Sequence, residues 1–453
     1  MTLQQTIARR NPATASVRAE GGWGFLEFFV IFQVIAPALL FLPGTQMFRV
    51  PLRTLPFALS LFGLIFILRE KENPRVHPVS VVLFLILAYV SVMVLHPATA
   101  SLNAGIAHVA MYAAIAAPVF WVPYLVRSDR QVFRVLAILL ICNGINSVVG
   151  VLQVINPDRF LPQEYSTIVE AQGGPLGYVT DEGKQVIRPP GLSDNPGAVC
   201  GPATTAALLG FIALTLKLPT WMKGLSLGIS AAGVAAIFLS HVRTNILILG
   251  GMVLVYALVL FLQRETRRGL LTLALAGITS LVAFSAALAL GGREVASRFA
   301  SLLEEDPVTV YYYRSARGHM TVEDTARHIV DAPLGSGLAR WGMMRNYFGS
   351  EDNPRSTPIW AEVQFVAWAL DGGLPMILLY PLALLMVAYS ELNLALRGPD
   401  LALRRMAAII FAANLGVVAL VLSYTPFMAQ IGVMYWLMAG LLHGAMLTRR
   451  QRG

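Results

Sequence analysis

"TNILILGGMVLVYALVLFL", residues 244–262, runs for nineteen residues without one charged side chain. Wound as an α-helix at 1.5 Å per residue it would be about 28 Å long, close to the ~30 Å hydrocarbon thickness of a bilayer. Comparable apolar runs lie at about 24–41, 52–68, 79–95, 103–125, 132–155, 197–216, 222–240, 269–290, 374–391, 405–422 and 427–447, twelve in all. Composition agrees: 56% of the residues are hydrophobic, 13% are charged and the mean hydropathy is +0.64, far from the averages of soluble domains. The sequence therefore predicts an all-α polytopic membrane protein with about 12 transmembrane helices. Cys142 and Cys200 both fall in apolar runs, which argues against a disulfide framework and a thiolate metal site. A cleavable signal peptide is not expected, because the first 22 residues are polar and the first apolar run is long enough to span.

Arginine and lysine in the connections set the orientation. With the N-terminus in the cytoplasm, 20 of the 34 basic residues fall in inside segments, among them Arg69, Arg75, Arg134, Arg268, Arg405 and Arg449. Both termini are then expected to be cytoplasmic. The net charge of +9 reads as a topology signal plus attraction to anionic lipid, with nucleic acid a poor second explanation.

Two outside connections are long, at about 156–196 and 292–373. Long loops in compact proteins tend to be functional or disordered. The chain accordingly divides into 1–291, nine spans with the first loop; 292–373, a large outer-face loop with short helices; and 374–453, three spans and a cytoplasmic tail. Within the larger loop, Val322, Ala326, Ile329 and Val330 recur at helical spacing before Pro333, Gly335 and Gly337 stop the pattern. This reads as a helical outer-face cap. The next stretch, "PIWAEVQFVAWALDGGLPMILL" (358–379), begins with about 12 apolar residues. That is too short to span, so it should lie at the interface or tuck in re-entrantly, anchored by Trp360 and Trp368, before Gly372, Gly373 and Pro375 turn the chain.

The seven histidines include no i, i+4 pair, and "EED" at 304–306 is the one tight carboxylate cluster, so no metal site is expected. "GSG" at 335–337 lacks the strand and lysine of a phosphate loop; no cofactor is called for. What remains is arginine and carboxylate at the outer face. In "RPPGLSDNPGAVCG" (188–201), Arg188 precedes two stiffening prolines, and Asp194 and Asn195 with Pro196 behind them make a helix start. Free amides at such a start, beside a guanidinium, can hold a phosphate. The alternative is that Arg188 snorkels to lipid phosphates. "LSHVRTNILI" (239–248) places Arg243 beside His241, Thr244 and Asn245 where two spans meet. Charge so near hydrocarbon calls for an anionic partner, either a carboxylate of this chain or a ligand phosphate. Glu362 is an acid inside an apolar stretch, where desolvation pushes a carboxyl toward general-base range; a salt bridge to a cap arginine is the other reading. Glu27 in the first span is a weaker case of the same kind. Arg314 and Arg317 in "YYYRSARGH" either line the same cavity or face water.

"RPPGLSDNP", then "SHVRT" at the next outer corner, then "DAPLGSGLARW" (331–341) followed by "AEVQFVAWALDGGL" (361–374), 30 residues on from start to start, resemble, in that order and spacing, the bacterial O-antigen ligase and O-antigen polymerase superfamily. The resemblance covers roughly residues 185–395. It implies a C-type glycosyltransferase-like membrane enzyme of the bacterial cytoplasmic membrane, acting at its outer face. Its partners would be a polyprenyl-diphosphate-linked glycan donor, a glycan acceptor, membrane lipid and a chain-length regulator. Arg188 and Arg243 match arginines expected to bind the donor diphosphate; Asn195, His241, Arg314 and Arg317 would line the substrate site. Ligases of the superfamily typically carry a histidine and then an asparagine where this chain has Glu362 and Val363. A polymerase is therefore the favoured member, with Glu362 as base and Arg188 and Arg243 completing the catalytic set. A ligase, a transporter of lipid-linked glycan and an assembly scaffold are the competing readings. A transporter would tend to show matching halves, and the polar motifs of the second half do not recur in the first.

Overall fold

The computed structural model describes residues 22–451 except 43, 70–74, 162–176, 180–184, 194, 305, 307–321, 350–352, 354 and 360. Apolar runs become helices because a lipid-facing backbone must satisfy its own N–H and C=O groups. In chain order the helices are α1 (Phe25–Phe41), α2 (Arg49–Arg69), α3 (Ser80–Met93), α4 (Leu102–Leu125), α5 (Asp129–Ile155), α6 (Cys200–Leu214), α7 (Thr220–Leu239), α8 (Arg243–Leu262), α9 (Thr266–Gly291), α10 (Arg293–Glu304), α11 (Val322–Asp331), α12 (Gly342–Phe348), α13 (Gln364–Arg397), α14 (Leu401–Leu422) and α15 (Gln430–Arg450). Among the described residues nine of these, α2, α4, α5, α7, α8, α9, α13, α14 and α15, are long and apolar enough to cross a membrane; α1, α3 and α6 are apolar but shorter. The protein is a helical multi-pass membrane protein. A two-stranded antiparallel ribbon, β1 (Gly177–Val179) and β2 (Gln185–Ile187), pairs Gly177 with Ile187 in the first long connection.

Side-chain exposure shows which face meets lipid. On α8, Leu247, Leu254, Leu258 and Leu262 are each more than half exposed, while Leu249, Met252, Val253, Tyr256 and Leu260 are buried. Without a hydrophobic force between helices in lipid, close backbone approach supplies the attraction. The Gly440 and Gly444 pair on α15 provides it against α4: a Cβ at Gly440 would lie 3.0 Å from the Pro118 carbonyl oxygen, and one at Gly444 2.9 Å from Pro123 Cα. Thr448 closes that seam by donating to the Val126 carbonyl at 2.9 Å.

Basic residues gather at the end of the bundle away from the long loops. Arg449 bonds both Asp129 and Asp400, and Glu265 bridges Arg268 and Arg405 at 2.8 Å each. Arg134 reaches buried Glu27 at 3.2 Å, and the other Glu27 oxygen accepts from the Gly24 amide at 3.0 Å. Glu27 is thus a paired structural acid.

Two expectations are corrected. The chain does not enter α6 at Pro196 with Asn195 as cap: the helix begins at Cys200, Val199 stands at the cap position without a side-chain bond, and Asn195 is exposed in a turn. Gly197 adopts φ +72°, a left-handed conformation that no helical first turn accommodates, and its amide is spent on the Arg188 carbonyl at 3.1 Å. Trp368 is no interfacial anchor either. It is 1% exposed and stacks on Tyr380 with centroids 4.6 Å apart; Trp360 lies outside the described residues. In a continuous helix residues twelve apart would be separated by about 18 Å, so the chain folds back between them. The fold occurs at Gly372 (φ −158°, ψ 16°) and Gly373 (φ 58°, ψ −143°). The turn expected at the glycines is present, and the half-helix before it, Gln364–Asp371, is tucked inside the protein, with Phe365 its one half-buried residue.

Candidate functional site

The loop-bearing end is organised around Asp371, the last residue before the glycine turn. Its carboxylate is fully buried. One oxygen accepts from Trp341 Nε1 at 2.8 Å, and the other accepts from the Tyr112 hydroxyl at 2.7 Å and lies 2.9 Å from His108 Nε2. A buried carboxylate is tolerated only when so surrounded. The "PLGSG" loop (333–337) is clasped against the turn through backbone alone: the Ser336 amide donates to the Leu370 carbonyl at 2.7 Å and the Leu374 amide to the Pro333 carbonyl at 2.8 Å. A Cβ at Gly335 would lie 2.8 Å from Gly372 Cα, and one at Gly373 2.2 Å from the Pro333 oxygen. Gly335 and Gly373 are there for this contact, whereas Gly337 lets the loop approach the Ala98–Thr99 backbone instead.

Arg340 extends the clasp toward Glu362. Its guanidinium donates to the Ser336 carbonyl at 3.1 Å and to the Thr357 carbonyl at 3.2 Å, while the Ile359 amide donates back to the Arg340 carbonyl at 3.0 Å. On the far side the Gln364 amide donates to the Tyr424 carbonyl at 2.9 Å, and Gln364 Oε1 accepts from the Phe427 amide at 2.8 Å. Glu362 therefore sits in an extended segment pinned at both ends. It is half-buried and already interacts with a neighbour.

The second group of expected residues forms a basic corner where α7 meets α8. Arg188, directly after β2, donates from Nε to the Ser240 carbonyl at 3.3 Å. Cys200, at the start of α6, donates its thiol to Ser240 Oγ at 2.9 Å, tying "RPPGLSDNPGAVC" to "SHVRT". His241 is buried, with φ +58°, and its carbonyl accepts from Arg298 Nε of α10 at 3.4 Å. Burial first, then Arg298 and Arg188, holds the His241 imidazole down at about 4, so it is neutral at pH 7. Arg243, half-buried, opens α8 two residues further on and is also engaged. Among the described residues no carboxylate bonds Arg188. Positive charge converges here from β2, α8 and α10, and with Arg188 unmatched by a carboxylate the corner is suited to an anion.

Arg188, His241 and Arg243 are thus brought together, and Asn195 is on the same connection with its side chain in solvent. Arg314, Arg317 and Asp194 lie outside the described residues. The hydrogen bonds of Arg188 do not reach Glu362; Gly201, beyond Arg188, approaches Ile431 at the start of α15, and Met428 just before that start packs on the same buried cluster of Trp341, Val366, Ala367 and Leu370 as Ala361 and Val363 do. Sequence reasoning missed Arg298, whose signal was the alternation of charged and apolar residues in "REVASRFASLL". It missed Asp371 too, though the logic applied to Glu362, an acid within an apolar run, applies to it more strongly. Compared with protein-family models the chain matches none, and no curated protein matches it.

Proposed function

We propose that this chain is a polymerase of the O-antigen ligase and polymerase superfamily, joining polyprenyl-diphosphate-linked oligosaccharide repeat units at the outer face of the bacterial cytoplasmic membrane. The reading counts α1, α3 and α6 as crossings beside the nine long helices, twelve in all, with both termini in the cytoplasm. That puts the long loops outside and the Arg449, Arg268 and Arg405 clusters inside, as the distribution of positive charge favours. The observation that carries the reading is the basic corner, where Arg188 has no bonded carboxylate among the described residues and stands beside a neutral His241.

A diphosphate leaving group gathers negative charge as its bond to the anomeric carbon breaks, and fixed guanidinium groups stabilise that charge most where water is sparse. Arg188 and Arg243 serve this role, with Arg298 as a third cation. The attacking hydroxyl of the acceptor sugar forms the new bond to the anomeric carbon from the opposite face and gives its proton to the Glu362 carboxylate. A single displacement inverts the anomeric configuration. No nucleotide sugar is needed, because the donor carries its own leaving group.

The experiment is a size profile of polyprenol-linked glycans from cells with and without the chain. Single repeat units stranded on lipid in its absence support the polymerase; long lipid-linked chains left undelivered point to a ligase, and an unchanged profile removes both.

A further inference from the structure

Apart from the basic corner, the loop-bearing end holds an open cleft of about 380 Å³ between the α3–α4 connection and the "PLGSG" loop, within the size range of small-molecule sites. His96, Asp331, Ser336 and Arg340 supply its polar lining, Pro333 and Leu334 much of its apolar wall.

The protonation of these groups narrows the ligand. His96 Nδ1 accepts from the Ala98 amide at 3.2 Å, so the neutral ring offers an Nε2–H donor. Burial, then Arg340, lowers the His96 pKa, which keeps the ring neutral. Arg340 is held by the oxygens of Ser336 and Thr357 and, among the described residues, by no carboxylate, so its charge is not offset there. Ser336 Oγ lies 2.5 Å from His328 Nε2. Asp331 is exposed and has no hydrogen-bond or ion-pair partner among the described residues.

Each simple ligand class but one meets an objection. An anion would face the Asp331 carboxylate. A metal cation would find one carboxylate and the Arg340 charge. An apolar molecule would strip water from Asp331, His96 and Arg340 with nothing in return. A polyol answers all of them: its hydroxyls accept from His96 and donate to Asp331, and the C–H face of its ring lies on Pro333 and Leu334. The wall running from Ser336 to Arg340 is also the one that pins Thr357, so a ring seated here rests on the frame that holds Glu362.

We propose that this cleft binds a neutral saccharide, and, resting on the polymerase reading, that the bound sugar is the acceptor. The probe is the oligosaccharide released by mild acid from the host's own surface polysaccharide, free of lipid and phosphate. It is titrated into the full chain in lipid nanodiscs and followed by saturation-transfer NMR. Wild-type protein and the Glu323→Gln control, altered elsewhere on α11, should bind it alike, and Asp331→Asn and His96→Ala should each bind about tenfold more weakly, as expected for one lost hydrogen bond to a charged or polar anchor. No binding by wild type, or wild-type affinity in both cleft variants, would overturn the proposal. The same preparations are assayed for polymer growth from lipid-linked repeat units. Saccharide binding without growth leaves the cleft standing and sinks the polymerase reading, while growth without saccharide binding does the reverse.

Discussion

Replacing Asp371 separates what its carboxylate does from what its shape does. Asp371→Ala leaves three buried donors, on Trp341, Tyr112 and His108, facing an empty site. Each unmet donor costs about 1–3 kcal/mol; if the Tyr112 hydroxyl reorients, two remain unmet, at roughly 2–6 kcal/mol together. Asp371→Asn is gentler. Its oxygen can still accept from Trp341, and Tyr112 can turn to accept from the new amide. His108 can present a bare Nε2 only by moving its proton to Nδ1, which is buried without a partner among the described residues. One orphaned donor remains, at about 1–3 kcal/mol. Tyr112→Phe removes a single bond, at about 1 kcal/mol. Thermal unfolding of the full chain in detergent, followed by tryptophan fluorescence, should rank stability as wild type, Tyr112→Phe, Asp371→Asn, Asp371→Ala. An Asp371→Ala protein unfolding with wild type, or an Asn variant as damaged as the Ala variant, would refute this account of the hub.

On the proposed polymerase reading, Arg188→Ala should lower polymer formation at least about a hundredfold, the scale of losing one preorganised charge stabiliser, with Arg188→Lys recovering only part, as measured on lipid-linked repeat units. Glu362→Gln should stop transfer yet leave donor binding intact; a variant that still elongates chains removes Glu362 as the base. Gly373→Ala combines a positive φ with a Cβ 2.2 Å from the Pro333 oxygen, so the full chain should fail to give a monodisperse detergent peak, whereas Gly277→Ala, with open space around it, should behave as wild type. His241 titrates at about 4 when folded against 6.5 when free. The unfolded chain therefore takes up the proton first as pH falls, and the stability His241 confers is complete above about 6.5 and lost on the way down to about 4. Melting temperatures across that range should fall less steeply for His241→Gln than for wild type.

Much of the architecture is written in local pattern. Uncharged runs of span length mark the long helices, Val322 to Val330 mark α11, and Gly372–Gly373 mark a turn; all of these are decided by neighbours within a few residues. What escaped is decided at long range. A tryptophan in a short apolar run reads as an interfacial anchor, and only the fold-back at Gly373 puts Trp368 against Tyr380 and Phe427. Asn195 and Pro196 have the chemistry of a helix start, yet the Gly197 amide goes to Arg188 and delays α6 to Cys200. The shared corner of Arg188, His241 and Arg243 could be anticipated because each sits at a polar break between apolar runs. Arg298 was not, since its approach to His241 depends on how α10 lies across the end of α7.

The seam between α4 and α15 also bears on how the protein is made. Gly440 and Gly444 meet Pro118 and Pro123 from far along the chain, so α4 enters the bilayer roughly 300 residues ahead of the helix it packs against, which at ~5–20 residues per second is tens of seconds. During that interval the Val126 carbonyl lacks Thr448, and the α4 surface that α15 will cover lies open to lipid or to a membrane chaperone. A chain halted before residue 430 leaves that face of α4, with Pro118 and Pro123, without the helix that covers it.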